Sequence, residues 1–256
     1  MRDQAKPDGA RPRSADPRVH VSPQRANAGA RFATRPTAAN DMNGRVEIIQ
    51  FWAPARPNDD QPVGGWSKRA FDVIVSASAL VLFLPLLLLI ALIVKLESKG
   101  PAIFKQERGG HRGKTFRIWK FRTMTVMENR GVLQARSNDA RLTRLGGFLR
   151  RSSIDELPQL VNVLIGDMSI IGPRPHALEH DVLFEKVDAR YPIRFNARPG
   201  VTGLAQVNGS RGPTETEEKV QLRTGFDVEY VQAWSWRRDI EIFLRTIKVL
   251  LKADAF

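Results

Sequence analysis

Two adjacent acids, Asp155 and Glu156, stand in the stretch Arg150-Arg151-Ser152-Ser153-Ile154-Asp155-Glu156-Leu157-Pro158-Gln159. Paired carboxylates beside arginines and a helix start suit a divalent cation and a phosphate. A carboxylate can also act as a covalent nucleophile in phosphoryl chemistry. A structural reading competes: Ser153 followed three residues later by Glu156 is a capping box, and acids in a first turn suit the helix dipole. Pro158 fits such a first turn, best if the helix starts at Asp155.

Cations recur in stiff or alternating contexts. In Gly172-Pro173-Arg174-Pro175 each proline fixes its own φ and the second pushes Arg174 toward extended geometry, which suits bidentate phosphate binding. Lys120-Phe121-Arg122 alternates, so on a strand its two cations share a face, either as a phosphate clamp or as the wet face of an edge strand. His176-Ala177-Leu178-Glu179-His180 matches the inverted zinc-protease pattern H-x-x-E-H. That five-residue pattern is weak evidence for zinc, and it directly follows a Pro-rich loop.

The elements that must position these residues are partly legible. Phe116 to Arg122 alternates as a strand, and Leu157, Leu160, Val161 and Leu164 are spaced as one helical face with Gly166 as the stop. Met168 to Gly172 reads as a short extended run and Arg198-Pro199-Gly200-Val201-Thr202-Gly203 as turn chemistry. Tyr230 to Lys252 reads as one helix with Ile240, Phe243 and Ile247 on a side, and Trp234 and Trp236 beside Arg237 and Arg238 suit a bilayer interface or a surface helix.

Charge and hydropathy are unevenly distributed. The 256 residues include 40 Lys+Arg, 27 Asp+Glu and no cysteine, a formal charge of +13. The missing cysteines exclude disulfides, a thiolate nucleophile and cysteine-ligated metals. Residues 1–65 read as a disordered polar tail rich in Pro, Ala, Gly and Arg, without the early apolar run of a signal peptide. Val73 to Val94 is free of charge for 22 residues, roughly 33 Å as a helix and enough to cross a bilayer. Pro85 near its middle, and basic residues on both flanks (Lys68, Arg69; Lys95, Lys99, Lys105), fit a hairpin that enters and leaves by one face. Proline also occurs in straight-through spans, so these residues leave spanning and re-entry both open. The basic charge comes with no glycine-rich phosphate loop and no nucleic-acid motif.

In order, Lys68-Arg69-Ala70-Phe71-Asp72, Lys120-Phe121-Arg122-Thr123-Met124, Asp155-Glu156-Leu157-Pro158-Gln159-Leu160 with Asn162-Val163, Gly166-Asp167-Met168-Ser169, Gly172-Pro173-Arg174-Pro175 and Arg198 to Gly203 resemble the bacterial sugar transferase family of monotopic polyprenyl-phosphate phosphoglycosyl transferases. The resemblance covers about residues 66–252. It implies an α+β fold, mostly helical with a small sheet. A Pro-bent re-entrant membrane helix at 66–98 would anchor a cytoplasmic catalytic domain at 99–256 to the bacterial inner membrane. It implies transfer of a sugar-1-phosphate, of glucose or galactose, from a UDP-sugar to undecaprenyl phosphate with Mg²⁺ and release of UMP, the first step of exopolysaccharide assembly. Asp155 would form the covalent intermediate. Glu156 would support it as metal partner or proton acceptor, both acids lying at the metal. Lys120, Arg122, Arg150 and Arg174 would hold phosphate oxygens. A homo-oligomer is compatible with it. Leu84 stands where the family often has serine before the bend proline. The stretch from Val207 to Gly212 leans toward members that handle glucose-1-phosphate. The competing classes are a non-catalytic membrane-anchored scaffold of polysaccharide assembly and a nucleic-acid binder; carboxylates among the arginines speak against the latter.

Overall fold

In the computed structural model, residues 61–125 and 141–251 are described; the polar tail before 61 lies outside them. The charge-free run lies inside one helix, α1 (Gly65–Glu97), with Pro85 within it. Leu, Ile, Val and Ala dominate, and the centre is exposed, as at Val81, Leu82 and Leu88. Both ends are gripped by the rest of the chain. Near the start, Lys68 Nζ donates to Asp239 Oδ2 at 2.6 Å, and Asp72 Oδ1 accepts from Ser169 Oγ at 3.0 Å and Ile170 N at 2.9 Å. Near the finish, Ile90 and Val94 pack with Phe121 and Leu149.

A hairpin follows: β1 (Ile103–Gly109) pairs antiparallel with β2 (Thr115–Phe121), Lys120 opposite Phe104. β2 ends at Phe121, and Arg122 leaves the ladder. The guanidinium donates to Val94 O, Ser98 O and Lys99 O at 2.6 to 3.1 Å, satisfying one carbonyl in the last turn of α1 and two in the segment that leaves it. The shared face expected of Lys120 and Arg122 is therefore not formed, because the strand stops between them.

Two further expectations change. α2 (Arg144–Arg151), capped by the Thr143 hydroxyl, is followed by a single 3-10 turn at Ile154–Glu156 and then by α3 (Gln159–Ile165). Ser153 has φ 55° and makes no side-chain cap, so there is no capping box and Asp155 does not open an α-helix. The stop at Gly166 is as expected, with φ 100° in the left-handed region that glycine tolerates. The helix expected from Tyr230 is two: α6 (Glu217–Gln232) and α7 (Trp236–Leu251). Ser235 Oγ accepts from Arg238 N at 3.2 Å, an N-cap that starts α7 afresh.

The extended run and the Arg198–Gly203 stretch join as a second sheet. β3 (Ser169–Ile171) pairs in parallel with β4 (Gly200–Thr202), so the latter is a strand more than a turn. Between them come α4 (Leu178–Val187) and a 3-10 helix at Tyr191–Asn196; α5 (Leu204–Val207) follows. The strands cross the core, where Phe116, Ile118, Leu160, Val163, Met168, Ile171, Tyr230 and Ile242 pack together. Gly172, Gly200 and Gly203 meet backbone to backbone: a Cβ on Gly200 would overlap Gly172 N, and one on Gly203 would overlap Gly172 O. Replacing Gly200 by Ala should therefore cost roughly 2 kcal/mol. A lowered thermal midpoint of the detergent-solubilised protein would register it; an unchanged midpoint would contradict the close approach.

Candidate active site

Three elements bring the candidate residues together. Lys120 leaves the end of β2, Asp155 and Glu156 lie on the 3-10 turn, and Arg174 is on the loop after β3. Asn162 fixes the first two relative to each other. Its side chain, fully buried in α3, accepts from Trp119 N at 2.9 Å and donates to Arg117 O at 2.8 Å, pinning β2 against the helix that follows the acids. Lys120 Nζ then reaches Glu156 Oε1 at 2.8 Å. Arg174 closes on the same carboxylate in bidentate fashion, Nη1 to Oε2 at 3.0 Å and Nη2 to Oε1 at 2.6 Å.

The two acids are thereby driven apart. Burial opposes the charge on Glu156, yet Arg174 and Lys120 outweigh it and hold the carboxyl well below its ordinary range. Asp155 is 6 % exposed. Burial, and next the Glu156 charge, push it up to about 6, against the pull of Lys120, Arg150 and Arg174. Divergent environments for neighbouring carboxylates are the usual way a site assigns them different work. Among the described residues the Asp155 carboxylate makes no hydrogen bond. Its carboxylate is available to a reactant; Glu156's is occupied.

Arg150 joins the site through its charge on Asp155, with Nε bonded to Thr123 Oγ1 at 2.9 Å. Arg122 does not join: both its Nη nitrogens donate to carbonyls at the end of α1, though its buried Nε has no partner. Two arginines not singled out from sequence do join: Arg108 on β1, acted on by the charges of Arg174, Asp181 and Glu156, and Arg211 on the loop after α5, acted on by those of Arg174 and Glu156. Each has a buried Nε without a hydrogen-bond partner. Burial, then repulsion from Arg174, lower both guanidinium groups, Arg108 to about 10. Neither forms an ion pair among the described residues, and with Lys120, Arg150 and Arg174 they make five cations about the two acids of the dyad. Such an excess suits a polyanionic ligand. Nothing local in sequence marks Arg108, one of several cations in an alternating stretch; Arg211 had only its Gly-rich loop as a signal.

A divalent cation was expected on both acids. Among the described residues no group of three or more His, Asp or Glu is placed to hold a metal ion. Mg²⁺ is commonly held by one or two carboxylates together with water and substrate phosphates. That donor set fits Asp155 with a diphosphate; Glu156, with both oxygens paired to cations, fits less well. The zinc pattern does not assemble: His176 Nδ1 contacts Tyr191 Oη at 2.6 Å and Nε2 faces Arg223 Nη1 at 3.4 Å, so its ring nitrogens are engaged by protein.

A family profile described as bacterial sugar transferase matches residues 63–253. The UDP-glucose:undecaprenyl-phosphate glucose-1-phosphate transferase of Caulobacter vibrioides is 54% identical over 188 residues, 73% of this chain and 70% of that protein. The Klebsiella pneumoniae protein of the same name is 46% identical over 222 residues, 85% of this chain and 48% of its own length. The exopolysaccharide production protein PSS of Rhizobium leguminosarum bv. phaseoli is 45% identical over 185 residues, 70% of this chain and 92% of its own. The chain thus spans about half the length of some curated relatives and most of others.

Proposed function

The chain belongs to the bacterial sugar transferase family, and from that premise we propose that it transfers glucose-1-phosphate from UDP-glucose to undecaprenyl phosphate, releasing UMP. The observation that carries the reading is the split dyad: a buried carboxylate open to a reactant, Asp155, beside one neutralised by Lys120 and Arg174. Relatives named for this transfer supply the substrate class.

The reaction has two displacements. An Asp155 oxygen attacks the sugar-bearing phosphorus, the bond to the bridging oxygen breaks, and UMP leaves with that oxygen. A phosphate oxygen of undecaprenyl phosphate then attacks the same phosphorus, the acyl–phosphate bond breaks, and the Asp155 carboxylate returns. A covalent intermediate lets a soluble nucleotide sugar and a lipid use one site in turn. Lys120, Arg174, Arg108 and Arg211 offset the phosphate charges. Glu156 is read as the group that holds Lys120 and Arg174 in place: a carboxyl so acidic is a weak proton acceptor. Bound Mg²⁺ would add Lewis-acid charge neutralisation at the diphosphate.

The site serves a lipid substrate if α1 enters the bilayer from the cytoplasmic face and returns to it. Both ends of α1 contact the same domain while its exposed apolar centre contains Pro85, which supports re-entry at the inner membrane. In this cysteine-free chain, single cysteines at positions 61 and 99 should both label from the cytoplasmic side. Labelling from opposite sides would refute re-entry. The activity itself is tested by UMP release from purified protein given Mg²⁺, undecaprenyl phosphate and a panel of UDP-sugars. UDP-glucose should be the best donor, and absence of turnover with every donor would favour a non-catalytic scaffold.

A further inference from the structure

The H-x-x-E-H segment has no metal role in the arrangement above, yet its first histidine lies at the centre of a buried chain of hydrogen bonds. Arg223, on α6, donates from Nη2 to Ser210 O at 2.9 Å and Gly212 O at 2.7 Å, with Nε 3.4 Å from Ser210 Oγ. These contacts bracket Arg211. The remaining nitrogen, Nη1, faces His176 Nε2 at 3.4 Å. Tyr191 Oη–H donates to Asp181 Oδ1, so His176 Nδ1–H is the donor to Tyr191 Oη, and Nε2 is left as the acceptor for Arg223. Burial, and then the charges of Arg194 and Arg223, keep His176 neutral. Arg194 completes the chain: Nη1 donates to Tyr191 Oη at 3.1 Å, Nε to Asp227 Oδ2 at 3.0 Å, and Nη2 to the backbone carbonyl of Arg174.

One contiguous network therefore holds the backbone of two segments that carry site cations, the Arg174 loop and the Ser210–Gly212 loop. We propose that Arg223, braced by His176 Nε2, is a positioning residue that holds Arg211 at the phosphate-binding site. The proposal rests on the transferase reading for the identity of the ligand. Two Arg223 nitrogens, Nε and Nη2, clamp the loop at three oxygens on either side of Arg211, while the Arg211 side chain itself makes no hydrogen bond or ion pair among the described residues. A side chain with no anchor of its own is aimed by its backbone, and the backbone is set by Arg223.

The test is a double-mutant cycle on the full chain with Arg211→Gln, Arg223→Lys and the pair. Lysine keeps the buried charge but cannot span the loop oxygens. Each single change should raise KM for UDP-glucose roughly tenfold, the scale of one charged hydrogen bond, with a smaller effect on kcat. The pair should be no worse than Arg211→Gln alone, because residues acting as a unit are not additive. Calorimetric titration of UMP with Mg²⁺ repeats the comparison without turnover. If wild type binds UMP but releases none from UDP-glucose, the transferase reading fails and the cycle is still read from binding. An unchanged KM and UMP affinity in Arg223→Lys, or effects that multiply in the pair, would overturn the proposal. So would a variant that fails to fold or loses active fraction at unchanged KM, since Arg223 would then serve stability alone.

Discussion

Replacing Asp155 by Asn should reduce UMP release by a factor on the order of 10³ or more, the scale on which loss of a nucleophile is felt, while the protein becomes more stable at neutral pH. Both effects come from one carboxylate. As the attacking group it must be ionised, so wild-type turnover should rise with pH through about 6 and level off above it. For stability the sign is opposite. The folded chain binds the Asp155 proton more tightly than the unfolded chain does, so between the ordinary carboxylate value and about 6 each increment of pH favours unfolding. At pH 7 the ionised Asp155 is a net cost, on the order of 1–3 kcal/mol. The amide in Asp155→Asn removes the charge at similar volume and should raise the thermal midpoint at pH 7, with the advantage shrinking toward pH 4. Retained turnover would remove Asp155 from the chemistry; a lower midpoint would mean that its burial is not what raises its pKa.

Replacing Glu156 by Gln should have the reverse stability effect and a comparable loss of activity. The amide still accepts a hydrogen bond but cancels the charge that Lys120 and Arg174 share. Removing one partner of a largely buried pair leaves the cations uncompensated, a loss on the order of 3 kcal/mol, moderated here because the side chains retain some exposure. Glu156 titrates below the ordinary range, so its contribution is complete at neutral pH and fades only in strong acid. The midpoints of wild type and variant should thus converge as pH falls well below 4. Activity should fall because Lys120 and Arg174 lose their orientation, and added salt should not restore it. A variant with wild-type stability at pH 7 would show that the ion triad is not what holds the turn. A stable variant with full activity would leave Glu156 no part in the site.

How much of this is legible from residues alone depends on the range of the interaction that decides it. The 22-residue apolar run is a covalent sequence of like residues, and it forms a helix in any apolar setting, so α1 is readable along with its proline. Gly166 as a stop and Phe116 to Phe121 as a strand are likewise local: one requires a left-handed φ, the other alternates around a pleat. Ser153 misleads because a capping box needs an extended Ser backbone. Here φ is 55°, and Glu156 is drawn away by two cations 36 and 18 residues distant. The join at Trp234-Ser235 is hidden although Ser235 carries the signal, since the apolar spacing of the two helices runs on across it.

Residue type and near-neighbour spacing suffice for the parts: a polar tail, an apolar helix with a proline in it, a carboxylate pair, and an arginine held stiff between prolines. Their division of labour belongs to the folded chain. Folding pairs Glu156 with Lys120 and Arg174, leaves Asp155 buried and open, diverts Arg122 to the end of α1, and brings Arg108 and Arg211 to the same site. Charge interactions and desolvation act through space over several ångströms, and which of 40 cations reaches which of 27 acids is set by chain crossings that residue spacing does not encode.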